Sequence, residues 1–587
     1  MRFDVSVATA ARLRTPLISL VSFLAVASGV AASATGPNVF ESSSALTPEG
    51  QIDKLVFSKL KQLNIQPVLC SDAVFVRRAY LDVIGTLPTV KEVREFIENP
   101  DKNKRHVLID RLLERDEFAD YWSMKWGDIL RIKAEFPVNL WPNAAQAYHR
   151  WVHESITENK PYDKFARELL TSSGSNFRVG PVNFYRAIQN RTPEGIAGAV
   201  ALAFMGTRTD SWPTNKLAGM SAFFSQIRYK PTNEWKEEQV FWSPLDSSFV
   251  DANSAPGLAS INAVAQPSNS VAQLSAAPTS NSVPLEAVFP DGKAVTLRPD
   301  RDPREVFADW LITPKNPWFT RSIVNRVWAW LMGRGIIHEP DDIRPDNPPS
   351  NPALLAYLEK EFVTGHYDLK RLYRLILNSK TYQFSAMPRV TTPEADANFA
   401  SYSLRRLDAE VLIDAINKIT GASDLYTSPI PEPFTYIPDD KPAIAIADGS
   451  ITSPFLALFG RSARATGMEN ERNNKPVSAQ WLHLLNSSHI QRKLDQGPKI
   501  RAIFESGRKE GEIIEELYLT ILSRFPTPDE VKNLESYGQV QYIKQPSVKK
   551  DGKSVPQPDK TVIVKRRDDW VDVAWSLINS TEFLYRH

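Results

Sequence analysis

A stretch in the middle of the chain, residues 246–284, contains no lysine or arginine and a single aromatic side chain, Phe249. A segment of this composition cannot bury enough apolar area to offset the entropy that is lost when it becomes ordered. We therefore expect a disordered, low-complexity linker here. It leaves two long parts of the chain, residues 49–245 and 300–587, each long enough to build a core of its own.

A small β-hairpin is predicted directly after this linker, at residues 285–299. Two short strand-like runs flank the tripeptide Pro290-Asp291-Gly292, whose residues favour a tight turn. The hairpin would lead from the linker into the second part of the chain.

Apolar residues recur at helical spacing on both sides of the linker. Near the start of the first part, one helix face is marked by Ile52, Leu55, Val56, Leu60 and Leu63. Similar stripes continue to the end of the sequence. The pattern predicts a mainly α fold, with two helical domains joined by the linker and the hairpin.

The first 34 residues have the layout of a secretory signal peptide. Arginines precede an apolar run at residues 16–30, and small residues end the segment at Ala32-Ser33-Ala34. The run is shorter and less apolar than a membrane-spanning helix, which needs about 20 apolar residues. We expect cleavage after Ala34, a polar tether at residues 35–48, and a protein of the periplasm or cell surface without a membrane span.

Charge and cysteine content narrow the possible functions. The chain has 70 Lys and Arg residues against 68 Asp and Glu residues, so its overall field gives no attraction for nucleic acid. Cys70 is the only cysteine, which excludes an internal disulfide. The residues around Cys70 favour a buried side chain over a reactive thiol.

Polar side chains concentrate in two segments, residues 325–347 and 469–474. Carboxylates and planar donors at such density suit acid–base chemistry, a bound cation or a sugar ligand. The same residue types also form buried ion pairs that fix loops, and this structural use is the more common one. The candidate site residues are Asn325, Arg326, Arg334, Asp341, Asp342, Arg344, Glu469, Glu471 and Arg472.

His149 and His153 lie four residues apart on a helix that is predicted to follow Pro142. This spacing can chelate a metal ion, but two histidines complete no established metal motif in this segment. We therefore expect histidines at the edge of the core and no metal site.

Several long blocks resemble one protein family. Residues 316–358 read NPWFTRSIVNRVWAWLMGRGIIHEPDDIRPDNPPSNPALLAYL, residues 77–89 read RRAYLDVIGTLPT, and residues 404–416 read LRRLDAEVLIDAI. These blocks are similar to the secreted planctomycete-type proteins that pair two domains of unknown function, numbered 1549 and 1553, and that often accompany cytochrome c modules. The resemblance covers residues 50–245 and 295–587.

The chain departs from this family at two places. Many relatives carry a Cys-x-x-Cys-His motif where residues 207–213 here read TRTDSWP, and cysteines where residues 467–472 read GMENER. Covalent haem attachment requires two thiols and an axial histidine. We therefore expect no haem and no other cofactor, and electron transfer is disfavoured.

We expect an exported binding or assembly component. The resemblance implies an exported sulfatase-like protein as partner, and the dense planar donors and carboxylates of residues 469–474 would suit a glycan. The alternative is a hydrolase or lyase that acts on polysaccharide through the Arg, Asp and Glu residues of the candidate site. Carboxylates that converge on an open cleft would favour the enzyme, and buried, paired charges would favour the scaffold. We also expect residues 325–347 to face the first part of the chain and to pair with Arg77, Arg78 and Asp82.

Overall fold

Helices form most of the described part of the chain, as the apolar spacing predicts. The computed structural model describes residues 38–244, 285–543, 548–550, 553–555 and 560–587. The expected signal peptide at 1–34 and the expected linker at 246–284 lie outside the described residues.

Ten α-helices precede residue 244 in the described part of the chain. They are α1 (Gln51–Gln62), α2 (Asp72–Val83), α3 (Val90–Glu98), α4 (Lys104–Leu113), α5 (Asp116–Ile129), α6 (Pro142–Thr157), α7 (Tyr162–Thr171), α8 (Asn183–Arg186), α9 (Pro193–Val200) and α10 (Thr214–Ser221). A π-helical turn, Ala201–Met205, continues α9.

The described residues after 284 contain the remaining α-helices. They are α11 (Pro303–Leu311), α12 (Phe319–Met332), α13 (Pro352–Thr364), α14 (Leu369–Leu377), α15 (Pro393–Ala397), α16 (Ala409–Thr420), α17 (Pro454–Leu458), α18 (Ser478–Asn486), α19 (Ser488–Gln496), α20 (Pro498–Phe504), α21 (Glu510–Ile521), α22 (Pro528–Glu535), α23 (Arg567–Ile578) and α24 (Thr581–Leu584).

The strands are short and antiparallel. They are β1 (Gly174–Ser175), β2 (Ile227–Pro231), β3 (Glu238–Trp242), β4 (Leu285–Val288), β5 (Ala294–Leu297), β6 (Arg405–Arg406), β7 (Gln539–Ile543), β8 (Val548–Lys550), β9 (Lys553–Val555), β10 (Lys560–Val564) and β11 (Tyr585–Arg586). The first three form a sheet in the order β1-β3-β2, and the others pair as β4-β5, β6-β11, β7-β10 and β8-β9. The predicted hairpin at 285–299 is confirmed, with Leu285 opposite Leu297.

Local signals explain where several helices begin. The Thr89 hydroxyl accepts a hydrogen bond from the Glu92 amide at the start of α3, and Asn351 caps α13 ahead of Pro352. Such caps satisfy amide groups that the first helical turn leaves without partners. Cys70 is fully buried, as predicted.

Helices from the two sides of the linker pack against each other. The contacting pairs include α1 with α13, α4 with α14, α7 with α11, and α3 with α21. At one such junction the rings of Trp122 and Trp126 on α5 lie 5.4 and 5.9 Å from that of Trp330 on α12. The described residues from Val39 onward form one compact unit. Within the described residues, no helix combines the length and the apolar character needed to cross a bilayer.

Candidate functional site

Arg326 lies on α12 with its guanidinium fully buried, and Asp341 in the following loop supplies the counterion. Its Nη2 donates to Asp341 Oδ1 at 2.6 Å, while Nη1 donates to the carbonyl of Ala203 at 2.9 Å. The other Asp341 oxygen accepts the backbone amide of Glu469 at 2.6 Å. One buried ion pair therefore joins three segments: the π-helical turn, the loop after α12 and the loop before α18.

Asn325, the neighbouring candidate residue, fixes the same loop. Its side chain exchanges two hydrogen bonds of 2.9 Å with the backbone amide and carbonyl of Ile337, and it is fully buried. Asn325 therefore holds the chain direction after α12 and is not available to a ligand.

Arg472 is at the centre of a second buried network. Its guanidinium donates to Asp128 at 2.7 Å and to Glu410 at 2.5 Å, and its side chain is 5% exposed. Arg464 makes a further ion pair with Asp128 at 3.1 Å, and Arg461 makes one with Glu410 at 3.2 Å. Two carboxylates are thus held between three arginines in the interior.

Asp408 extends this network towards β11. Its carboxylate accepts hydrogen bonds from Lys125 at 2.9 Å, Arg586 at 3.0 Å and the Asn474 amide at 2.7 Å. Burial by itself would raise the pKa of Asp408, but Lys125, Arg586 and Arg472 together hold it well below its usual value. The carboxylate therefore stays ionised and acts as a fixed structural charge.

Most members of these networks were not predicted as site residues. The missed residues include Asp128, Asp408, Glu410 and Lys125. The available signal was in the block 404–416, where Asp408 and Glu410 interrupt an otherwise apolar helix start. An ionised residue on a buried helix face needs a partner, but the sequence alone does not indicate which one.

Glu471 and Glu469 differ in their surroundings. The Glu471 carboxylate accepts the backbone amides of Ala465 and Thr466 at 2.9 and 3.2 Å, so it closes a loop. The Glu469 carboxylate has no hydrogen-bond partner among the described residues and is partly exposed. Its pKa is raised, chiefly by burial, with Lys125 opposing the rise and Asp341 adding to it. Glu469 is therefore the predicted site residue that keeps a carboxyl group available.

The remaining candidates lie nearer the surface. Arg344 has a side chain that is 47% exposed, and its ion pairs among the described residues are with Asp342 at 3.2 Å and Asp346 at 3.5 Å, both in its own loop. Arg334 lines a separate cavity near His338. The structure thus divides the predicted cluster into a buried group around Arg326 and Arg472 and an exposed group around Arg344.

The expected pairing of residues 325–347 with Arg77, Arg78 and Asp82 is wrong. Arg77 and Arg78 instead donate to backbone carbonyls, including those of Ile521 and Tyr382. The Asp82 carboxylate accepts the hydroxyls of Tyr382 at 2.9 Å and Tyr402 at 2.7 Å. The carbonyl and hydroxyl groups that bind Arg77, Arg78 and Asp82 belong to distant parts of the chain. The amino-acid composition of a segment does not indicate such partners.

The exposed group around Arg344 borders a cavity of about 600 Å³, which we call the tryptophan cavity. Its charged and aromatic lining residues are Arg208, Trp212, Lys216, Trp318, Arg321, Asp342, Arg344 and Asp346. Pro345, Pro348 and Pro349 stiffen one wall. A cavity of this size can hold a small ligand.

Lys216 is the cation of the tryptophan cavity that lacks a carboxylate partner among the described residues. Its ammonium lies 4.1 Å from the ring centroid of Trp212 and 5.7 Å from that of Trp318. Burial lowers the pKa of Lys216. Other cations of the lining are paired, since Arg208 binds Glu339 at 2.7 Å and Arg321 binds Glu359 at 2.7 Å.

The two segments that depart from the resembled family line one further cavity, of about 410 Å³. From these segments, Arg208, Thr209, Asp210 and Met468 line it, together with Arg131, Glu194, Ala465 and Thr466. The thiols and the histidine of a haem-attachment motif are absent from these segments. The residues present are therefore not those that covalent haem would need.

His149 and His153 behave as edge-of-core residues. His149 is buried, and burial, followed by the charges of Arg464 and His153, lowers its pKa to about 3. His153 lies 3.3 Å from Asp120. Within the described ranges, no group of three or more His, Cys, Asp or Glu residues is arranged to hold a metal ion.

Family models match both parts of the chain. Residues 51–228 match PSCyt2, protein of unknown function (DUF1549), and residues 303–538 match PSD1, protein of unknown function (DUF1553). The chain belongs to the family that pairs these two domains. No curated protein and no solved structure matches it. In this paired-domain protein, the Asp128 ion pairs connect the DUF1549 segment to Arg464 and Arg472 of the DUF1553 segment.

Proposed function

We propose that this paired-domain protein is an exported binding or assembly component, and that its tryptophan cavity holds an acidic sugar unit of a glycan. The buried part of the predicted cluster supports a scaffold, because Arg326, Asp341 and Arg472 are engaged in ion pairs that close the core. Charges used in this way stabilise a fold and are not free to act on a substrate.

The observation that carries this proposal is the position of the Lys216 ammonium close to the indole rings of Trp212 and Trp318. Indole faces bind the apolar face of a sugar ring, and an ammonium without a counterion favours a carboxylate or sulfate on that sugar. Without a ligand, the Lys216 ammonium makes cation–π contacts with Trp212 and Trp318. These contacts are weaker than an ion pair with a bound carboxylate or sulfate would be.

The compartment that we expect for this protein is one in which a glycan ligand would be available. A signal peptide at residues 1–34 would deliver the protein to the periplasm or the cell surface, where glycans are found. An exported sulfatase-like protein, implied by the family resemblance, is the partner that we propose. We also propose that the protein acts without haem, because Cys70 is its only cysteine and is buried.

Calorimetric titration with an oligomer of glucuronic acid, compared with a neutral glucose oligomer of equal length, tests the proposal. We expect Lys216→Met to weaken binding of the acidic oligomer at least about tenfold, which is about 1.4 kcal/mol, and to change binding of the neutral oligomer little. Trp212→Ala should weaken both. Trp235→Ala is the control, since Trp235 is 59% exposed and does not line this cavity.

Two results would contradict the glycan proposal. One is the absence of saturable binding of the acidic oligomer to the intact protein. The other is equal affinity of the parent protein and Lys216→Met for that oligomer, which would show that the ammonium does not contribute.

The second candidate function, a polysaccharide hydrolase or lyase, is favoured by one observation. Glu469 combines a raised pKa with a side chain that lacks a hydrogen-bond partner among the described residues, and such a carboxyl group can act as a general acid. Release of reducing ends from acidic polysaccharide, abolished by Glu469→Gln without a change in melting temperature, would support it. If no polysaccharide is cleaved by the parent protein, the binding function alone remains.

A further inference from the structure

A different cavity, of about 560 Å³, contains two histidines and an aspartate that are connected in a chain. His489 Nε2 lies 2.7 Å from Asp424 Oδ1, and His489 Nδ1 lies 3.4 Å from His483 Nε2. His483 is on α18, His489 is on α19, and Asp424 follows α16. The lining of this cavity shares no residue with that of the tryptophan cavity.

The chain of contacts determines where the imidazole protons lie. Asp424 is an acceptor, so His489 donates through Nε2 and keeps a lone pair on Nδ1. His483 then donates to that lone pair through Nε2, which leaves its own Nδ1 without a proton. Among the described residues, His483 Nδ1 has no hydrogen-bond partner, so it is the end of the chain that can exchange a proton with a ligand.

The walls of the cavity indicate which ligand would bind there. Phe455 packs edge-on against both histidines, with ring centroids 5.7 and 5.9 Å away, and Pro454, Leu425 and Pro498 add apolar surface. Arg492 lines the same cavity and has no carboxylate partner among the described residues. An apolar body with one oxyanion headgroup matches this combination.

We propose that Asp424, His489 and His483 form a proton relay in a binding site for small apolar carboxylates or other oxyanions, and that one proton is taken up with each anion. In the complex, His483 Nδ1 carries the added proton and donates to the anion. Asp424 stabilises the positive charge through His489, and Arg492 adds a second cation near the headgroup.

The groups around the relay disfavour a proton on His483 until an anion is bound. Lys493 offsets part of the Asp424 charge at 3.3 Å, and its ammonium is also bound by Asn417 and the Ser423 carbonyl. Burial, followed by the proximity of His489, lowers the pKa of His483, while Asp424 acts in the opposite direction. His483 therefore carries no added proton near pH 7 before the anion binds, and the proton that it gains on binding comes from solution.

Benzoate is a suitable probe, and benzamide is its neutral counterpart of the same shape. In calorimetric titrations, we expect the affinity for benzoate to fall about tenfold per pH unit between pH 7 and 8, because one proton is bound with each anion. Titration in two buffers of different ionisation enthalpy should give uptake of about one proton. Affinity for benzamide should not depend on pH.

Variants separate the relay from the rest of the cavity. His483→Gln should abolish proton uptake and weaken benzoate binding at least about tenfold at pH 7, whereas His106→Gln, which replaces an exposed histidine outside the cavity, should leave both unchanged. Arg492→Gln should weaken benzoate binding but retain proton uptake. If the parent protein does not bind benzoate saturably, if binding is independent of pH, or if a folded His483→Gln variant still takes up the proton, the proposal is wrong.

Discussion

Arg326 and Arg344 occur in the same polar segment, but their burial predicts opposite effects of substitution. Arg326→Ala would leave the buried Asp341 carboxylate without its cation, so we expect it to lower the free energy of unfolding by about 3–5 kcal/mol. Arg344→Ala removes an exposed charge, and we expect a change within about 0.5 kcal/mol. Urea unfolding of both variants measures the difference. Equal losses of stability would contradict the assignment of Arg326 to the core and Arg344 to the surface.

The buried carboxylates should make the folded protein less stable at acidic pH. The pKa values of Asp408 and Glu410 are lowered in the folded protein, because neighbouring cations outweigh the effect of burial. A carboxyl group whose pKa is lowered on folding stabilises the folded protein at any pH above its pKa in the unfolded chain, which is about 4. This stabilisation is lost as the pH falls from about 4 towards the pKa of the folded protein.

The test of this pH dependence is urea unfolding between pH 6 and pH 3. We expect the free energy of unfolding to decrease towards pH 3, and the decrease to be smaller in Asp408→Asn. Asp346→Asn serves as the control, because Asp346 is 72% exposed and its charge contributes little. An unchanged slope in Asp408→Asn would show that other groups cause the acid sensitivity.

Sequence reasoning identified charged residues but not their partners. It indicated that Arg326, Asp341 and Arg472 belong together in function or structure, and the structure brings Asp341 to the backbone of Glu469. It did not identify Asp128, because ion pairs between residues hundreds of positions apart leave no local pattern. His483 and His489 were missed for the same reason, since their connection depends on Asp424 at the end of another helix.

The end of the π-helical turn Ala201–Met205 is tightly constrained by its neighbours. Gly206 follows it with φ of 60°, and its carbonyl accepts the Ile343 amide at 2.8 Å. A Cβ atom at this position would lie 2.9 Å from Ile343 Cδ1 and 3.0 Å from the Pro340 carbonyl. The close approach holds the turn against the loop that contains Asp341.

We expect Gly206→Ala to destabilise the protein by about 2–4 kcal/mol, because the alanine adds both an unfavourable φ and steric crowding. Gly292→Ala is the matched control: Gly292 also has a positive φ, of 91°, but a Cβ atom there would meet nothing within 4 Å. Thermal unfolding measures the loss of stability in both variants, and the difference between the two losses is the contribution of steric crowding at Gly206. The same loss of stability in both would show that the backbone conformation accounts for the whole effect.

At the scale of elements, helices with clear apolar spacing and capping residues were predictable. The helix that begins at Gln51, the cap at Thr89, the cap at Asn351 and the hairpin of β4 and β5 agree with the sequence patterns. The π-helical turn was not predicted, since its residues have the same apolar character as an α-helix.

At the scale of the whole molecule, the packing predicts how the protein responds to cleavage between its two family segments. We expect a protease site introduced within residues 246–284 to yield two fragments that elute together in native buffer. The reason is that separation would expose α1, α4 and α7 and would leave Asp128 without Arg464 and Arg472. Size-exclusion chromatography before and after cutting tests this, and fragments that separate and stay folded would contradict it. The division into two domains stays a prediction.

The distance along the chain between Asp128 and its partners also affects the order of folding. Arg464 and Arg472 follow Asp128 by 336 and 344 residues, so the interior that they share cannot form until most of the chain has been synthesised. Contacts between such distant residues form slowly. If the chain is exported, as we propose, this late closure would keep it unfolded while it crosses the membrane, and the core would be completed only after Arg464 and Arg472 have crossed.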